Sequence, residues 1–171
     1  MLFILVLSVP FSLWHYKRVF WAVTGFTLGH SLSLALATFN LITVDSAVIE
    51  FLIPVTILIS ALFLAFKSQG KRLERFTAAQ FVVVIFFGLI HGLGFSGYLR
   101  AMLVDDMSPF IPLLSFNLGV EAGQLIIVLI ILLLNFLLEG IANIKKSYWA
   151  LFCAGASTSL ALKLIFENKI W

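Results

Sequence analysis

Residues 113–138 read LLSFNLGVEAGQLIIVLIILLLNFLL, and inside them the run from Leu125 to Leu134 is apolar at every position. A strand of a membrane barrel alternates in polarity over about ten residues, which this run does not do. A helix apolar on every face, at least as long as the roughly 20 residues that a bilayer crossing needs, accounts for it and satisfies its own backbone in lipid. Carried outward, hydropathy and turn residues predict helices over residues 1–14, 19–40, 48–66, 79–99, 113–138 and 149–166. The expected fold class is all-α: a polytopic transmembrane helix bundle of about six helices, forming a single integral membrane domain over residues 1–171.

Composition points the same way. Of 171 residues, 62% are hydrophobic and 11% charged, and the mean hydropathy is +1.13, whereas soluble domains are about half apolar and a quarter charged. This excludes a water-soluble globule and leaves no length for a second, soluble domain. The net charge of +3 arises from 11 Lys+Arg and 8 Asp+Glu with no basic patch, so nucleic acid is not an expected partner. The lone cysteine, Cys153, allows neither an internal disulfide nor a cysteine-built metal cage. Lys17, Arg18, Lys67, Lys71, Arg72, Arg75, Lys145 and Lys146 follow helices one, three and five, while Asp45, Asp105, Asp106 and, of the basic residues, only Arg100 follow helices two and four. By the positive-inside rule the first set of loops is cytoplasmic in this multi-pass chain. Residues 1–14 make only roughly 20 Å of helix against a hydrocarbon core of about 30 Å. The expectation is that helix N-terminal to Met1 is absent from this sequence.

Polar groups inside hydrocarbon are costly and are functional candidates by default. Measured from the expected outer helix ends at about 1.5 Å per residue, His30 lies roughly 15 Å deep and His91 and Glu121 roughly 12 Å deep. Three helices thus bring two imidazoles and a carboxylate to one level. Asn117, Glu121 and Gln124 fall at i, i+4 and i+7 and share one helix face. Glu50 stands near the outer mouth, and Thr27 and Ser31 flank His30 on its helix. Glycine pairs four apart, Gly25/Gly29, Gly88/Gly92 and Gly119/Gly123, fit small-xxx-small helix packing. Thr27 and Ser31 are equally explained by bonding to their own helix carbonyls, and each polar residue taken singly by bonding between helices. Two imidazoles, a carboxylate and amide oxygens suit a divalent first-row ion such as nickel, cobalt or zinc better than magnesium or calcium. A His/Glu proton relay is the competing use of the same residues.

At these residues the chain resembles the HupE/UreJ group of small membrane proteins, regarded as nickel or cobalt permeases. The resemblance rests on Phe26-Thr27-Leu28-Gly29-His30-Ser31-Leu32-Ser33-Leu34-Ala35, Gly88-Leu89-Ile90-His91-Gly92-Leu93-Gly94-Phe95 and Phe116-Asn117-Leu118-Gly119-Val120-Glu121-Ala122-Gly123-Gln124. It implies a helical bundle carrying a divalent metal, with His30, His91 and Glu121 on family motif positions. Members carry a His-x-x-x-Gly-x-Asp-His segment just before an apolar stretch similar to Met1–Leu7, and this chain begins where that segment should end.

The expected function is transport of a divalent transition metal, nickel or cobalt before zinc, through His30, His91 and Glu121. Asn117 and Gln124 would support the site, and Glu50 would attract cations. No prosthetic group is expected; the metal is the transported or bound ion. Beyond lipid and metal, the partner classes are a second copy of the chain or a metalloenzyme-maturation protein. The alternative is a non-transporting module that binds a metal or a partner and supports assembly of a metalloenzyme or envelope complex. An enzyme is not expected, since His-Glu-x-x-His, Gly-x-Ser-x-Gly and nucleotide-loop motifs are missing.

Overall fold

A computed structural model describes residues 2–70, 73, 76–102 and 108–168. Met1, Lys71, Arg72, Arg75, Asp105 and Asp106, used above to reason about the first helix and the loops, lie outside the described residues. The described chain forms α1 (Leu2–Ser8), a 3₁₀ turn (Leu13–His15), α2 (Tyr16–Thr38), α3 (Ser46–Ser68), α4 (Ala78–Met102), α5 (Phe110–Gly140) and α6 (Lys146–Glu167). Five helical stretches, the first of them Leu13–Thr38, are long and apolar enough to cross a membrane.

The first predicted helix differs from its expected course over residues 1–14. α1 stops at Ser8, and the 3₁₀ turn runs straight into α2. Pro10 is the cause: it has no N–H to continue the ladder, and the chain turns there, with Phe11 N donating to Ser8 O at 3.0 Å. The seven described residues of α1 make about 10 Å of helix. They lie in the interior, touching α2, α3, α5 and α6, with Phe3, Ile4, Val6 and Ser8 buried.

Local chemistry sets the other helix ends. Asp45 caps α3 by accepting from Ala47 N at 2.9 Å. Thr77-Ala78-Ala79-Gln80 is a capping box at the start of α4: Thr77 N donates to Gln80 Oε1 at 2.9 Å and Gln80 N to Thr77 Oγ1 at 3.3 Å. Asn40, after α2, sits at φ 55°, a conformation asparagine tolerates better than most residues, and its Oδ1 accepts from Arg100 Nη1 at 3.0 Å. Pro54, inside α3, cannot donate to Glu50 O, and Asn168 Nδ2 from the end of α6 donates to that carbonyl at 3.2 Å.

The long helices alternate in direction. One end of the bundle collects the starts of α2, α4 and α6 and the ends of α3 and α5, with Lys17, Arg18, Lys67, Lys145 and Lys146 near it. α2 packs chiefly on α4 and α3 on α6, while α3 also meets α4 and α5 leans on α2. The α2–α4 contact is close because of its glycines. A Cβ on Gly29 would strike Ile85 O, one on Gly88 would strike Phe26 O, and one on Gly92 would strike His30 O. Gly25 faces the Phe81 ring. Gly119 and Gly123 depart from the packing expectation: a Cβ on either meets nothing within 4 Å. The exposed face of α5, with Leu118, Ile126, Ile130 and Leu133, suits a hydrocarbon surround.

Candidate cation site in the bundle

His30 lies within the α2–α4 seam, 1% exposed. Its ring is boxed by Phe26, Phe95 and Phe116, with centroids 6.1, 5.6 and 6.5 Å away. Neither ring nitrogen has a hydrogen-bond partner among the described residues. A neutral imidazole carries one N–H and one lone pair, so both are left unsatisfied, at a cost of about 1–3 kcal/mol.

His91, on α4, is held differently. Phe3 and Phe26 lie against its ring at 5.7 and 5.3 Å, so Phe26 touches both histidines. Thr56 on α3 supplies the polar contact, with Oγ1 3.0 Å from His91 Nε2. That hydroxyl spends its one proton on Ile53 O at 2.7 Å and therefore accepts from His91 Nε2–H. The bond fixes the tautomer and leaves the Nδ1 lone pair available, the arrangement by which a hydrogen-bonded neighbour prepares an imidazole to bind a cation.

The polar face of α5 is only partly gathered in. Gln124 is buried, and Thr27 Oγ1 donates to its Oε1 at 3.0 Å with Val23 O at 3.1 Å as the competing acceptor. These two residues tie α5 to α2. Asn117 is half-buried, its Oδ1 enclosed without a partner among the described residues, next along the chain to the Phe116 ring that stacks on His30. Glu121 is half-buried and has no hydrogen-bond or ion-pair partner among the described residues. Ser31 is half-buried, and Glu50 is exposed near the start of α3, just past its first turn. The expected trio is not closed: among the described residues no three His, Cys, Asp or Glu side chains converge to hold a metal ion.

Two residues escaped the sequence reasoning. Thr56 sits in an apolar helix where Glu50 alone had been noticed; a hydroxyl opposite an intramembrane histidine was the available signal. Asn135 is fully buried. Its Nδ2 donates to Val9 O and Phe11 O at 3.1 and 2.8 Å, and Trp149 Nε1 donates to its Oδ1 at 2.9 Å. It thereby takes up carbonyls exposed by the break at Pro10.

The sequence model of the HupE / UreJ protein family matches residues 1–167. The chain belongs to the HupE / UreJ family. This family is of membrane-transporter type and is associated with nickel and cobalt uptake. No curated protein and no solved structure matches the chain. Within this HupE / UreJ chain, the histidines of α2 and α4 both lie against one phenylalanine, Phe26.

Proposed function

We propose that this protein carries a divalent transition-metal cation, nickel or cobalt, across the bacterial inner membrane by way of His30 and His91. The observation that carries the proposal is the pair of imidazoles about Phe26, one without partners and the other oriented by Thr56. Imidazole nitrogen suits nickel, cobalt and zinc, and two neutral ligands leave coordination positions to water. Such a site holds an ion weakly enough to release it, as conduction requires. Glu121 and the Asn117 Oδ1 supply charge and oxygen on α5 as the ion moves, and Glu50 draws cations to the end of the bundle opposite Lys17, Arg18 and Lys67.

The test is metal accumulation in cells lacking their own nickel and cobalt uptake, comparing wild type with His30→Ala, His91→Ala and Glu121→Ala at equal membrane abundance. Uptake by wild type that falls at least about tenfold in both histidine variants supports the reading. Unchanged uptake in the histidine variants overturns it. The open glycine face at Gly119 and Gly123 favours a second reading, a non-transporting module that docks a partner helix. Wild type that binds nickel in detergent yet gives no flux, with loss of function in Gly119→Leu and none in Glu121→Ala, would select that reading.

A further inference from the structure

A groove of about 970 Å³ opens on the side of the bundle between α1, α3 and α4. Its walls are apolar, running from Phe3 and Phe87 in the interior to Phe63 and Val83 on the outer surface, where these two are 51% and 45% exposed. Polar groups line it near the basic end, where α3 finishes and α4 begins: Lys67, Thr77 and Gln80. Arg18 is close enough to Lys67 to act on it as a like charge. The capping box occupies Gln80 Oε1 with two bonds from Thr77. The Gln80 Nε2–H donors therefore stay available, and the positive end of the α4 dipole lies at the same place.

We propose that this groove is a binding site for an anionic glycerophospholipid, with acyl chain along Phe63, Val83 and Phe87 and phosphate at Lys67, Arg18 and Gln80. Two features select this occupant. An apolar channel open sideways between two membrane-spanning helices faces hydrocarbon, so acyl chains are what meets it. The charged side chains described at its mouth, Lys67 and Arg18, are basic, and by sequence the α3–α4 connection is net basic, with Lys71, Arg72 and Arg75 against Glu74; a basic residue near the membrane surface favours an anionic headgroup. The occupant would pack against Phe3, whose ring also lies on His91, so the lipid supports the seat of α1 beside the histidine.

The full chain, purified in detergent, is delipidated and incubated with phosphatidylglycerol or phosphatidylcholine, and bound lipid is counted by native mass spectrometry alongside the melting temperature. Wild type is expected to keep phosphatidylglycerol in preference to phosphatidylcholine by roughly tenfold and to melt higher with it. Arg18→Gln with Lys67→Gln should erase the preference while leaving acyl-chain binding. Val83→Trp, which fills the groove from its exposed side, should lower retention of both lipids, whereas Ile130→Trp on the exposed face of α5 should not. Equal retention of the two lipids by wild type, an unchanged preference in the charge variant, or retention in Val83→Trp equal to that in Ile130→Trp each overturns the proposal. So does a dimer whose dissociation is needed before lipid binds, since a second copy of the chain would then be the occupant. Monodisperse elution of each variant excludes misfolding as the cause of a loss.

Discussion

His30 occupies an aromatic box that a phenylalanine could also occupy, and this separates what the residue does for packing from what it does for ions. Replacing a buried polar group that lacks partners by an apolar one of similar shape is close to neutral for stability. His30→Phe is therefore expected to melt within a few degrees of wild type, yet to lose metal accumulation. A variant that transports normally would make His30 a packing residue. Thr56 gives a sharper case. Thr56→Val keeps the shape but removes the acceptor for His91 Nε2–H, so the ring loses its fixed tautomer. Uptake should fall about tenfold or more and return with Thr56→Ser. Normal uptake in Thr56→Val with loss in Thr56→Ser would mean that the methyl group, not the hydroxyl, matters. The histidines were legible in the sequence because ionisable groups are rare in hydrocarbon. Thr56 was not, because a hydroxyl in an apolar helix usually bonds to its own turn, as Thr56 also does with Ile53 O.

Among elements, the α2–α4 seam and α5 form a natural pair for comparison. All three glycine pairs carry the same four-residue spacing, and spacing alone implied close packing for each. Only the pairs on α2 and α4 meet a neighbour, because spacing describes one helix and cannot name the element opposite. Gly88→Ala would press a methyl group onto the Phe26 carbonyl, so the helices must separate, at a cost of about 1–3 kcal/mol. Gly119→Ala meets open space and should be neutral or slightly stabilising through helix propensity. Melting temperatures of the two variants in one detergent decide the point; equal losses would place an unseen contact on α5. The break after α1 is closed by a single side chain. Asn135→Leu strands the carbonyls of Val9 and Phe11 and unpairs Trp149, and a loss of about 2 kcal/mol or more is expected. Nothing in the length of the first hydrophobic segment indicated that it would turn inward, although Pro10 marked where it would stop.

For the whole molecule, the alternation of five spanning helices puts the connections at Ile42 and Ile144 at opposite ends of the bundle. The positive-inside bias predicts a cytoplasmic Ile144 end, which labelling can test. In a Cys153→Ala background, a membrane-impermeant maleimide added to spheroplasts should label Ile42→Cys, and should label Ile144→Cys only after permeabilisation. The reverse pattern would invert the orientation and with it the direction from which Glu50 receives cations. The helical class and the membrane setting followed from composition and from the apolar run at 125–134. Which helices are neighbours followed from neither, because lipid is as apolar as the core and hydropathy does not distinguish the two. The clamp at Asn135 also has a consequence for biosynthesis. Residues 2–11 are made well before residues 135 and 149, so α1 meets the membrane without the groups that receive its open carbonyls. The bonds that close the break after α1 can form only once α5 and the start of α6 are in place, which makes them a late step in assembly of the bundle.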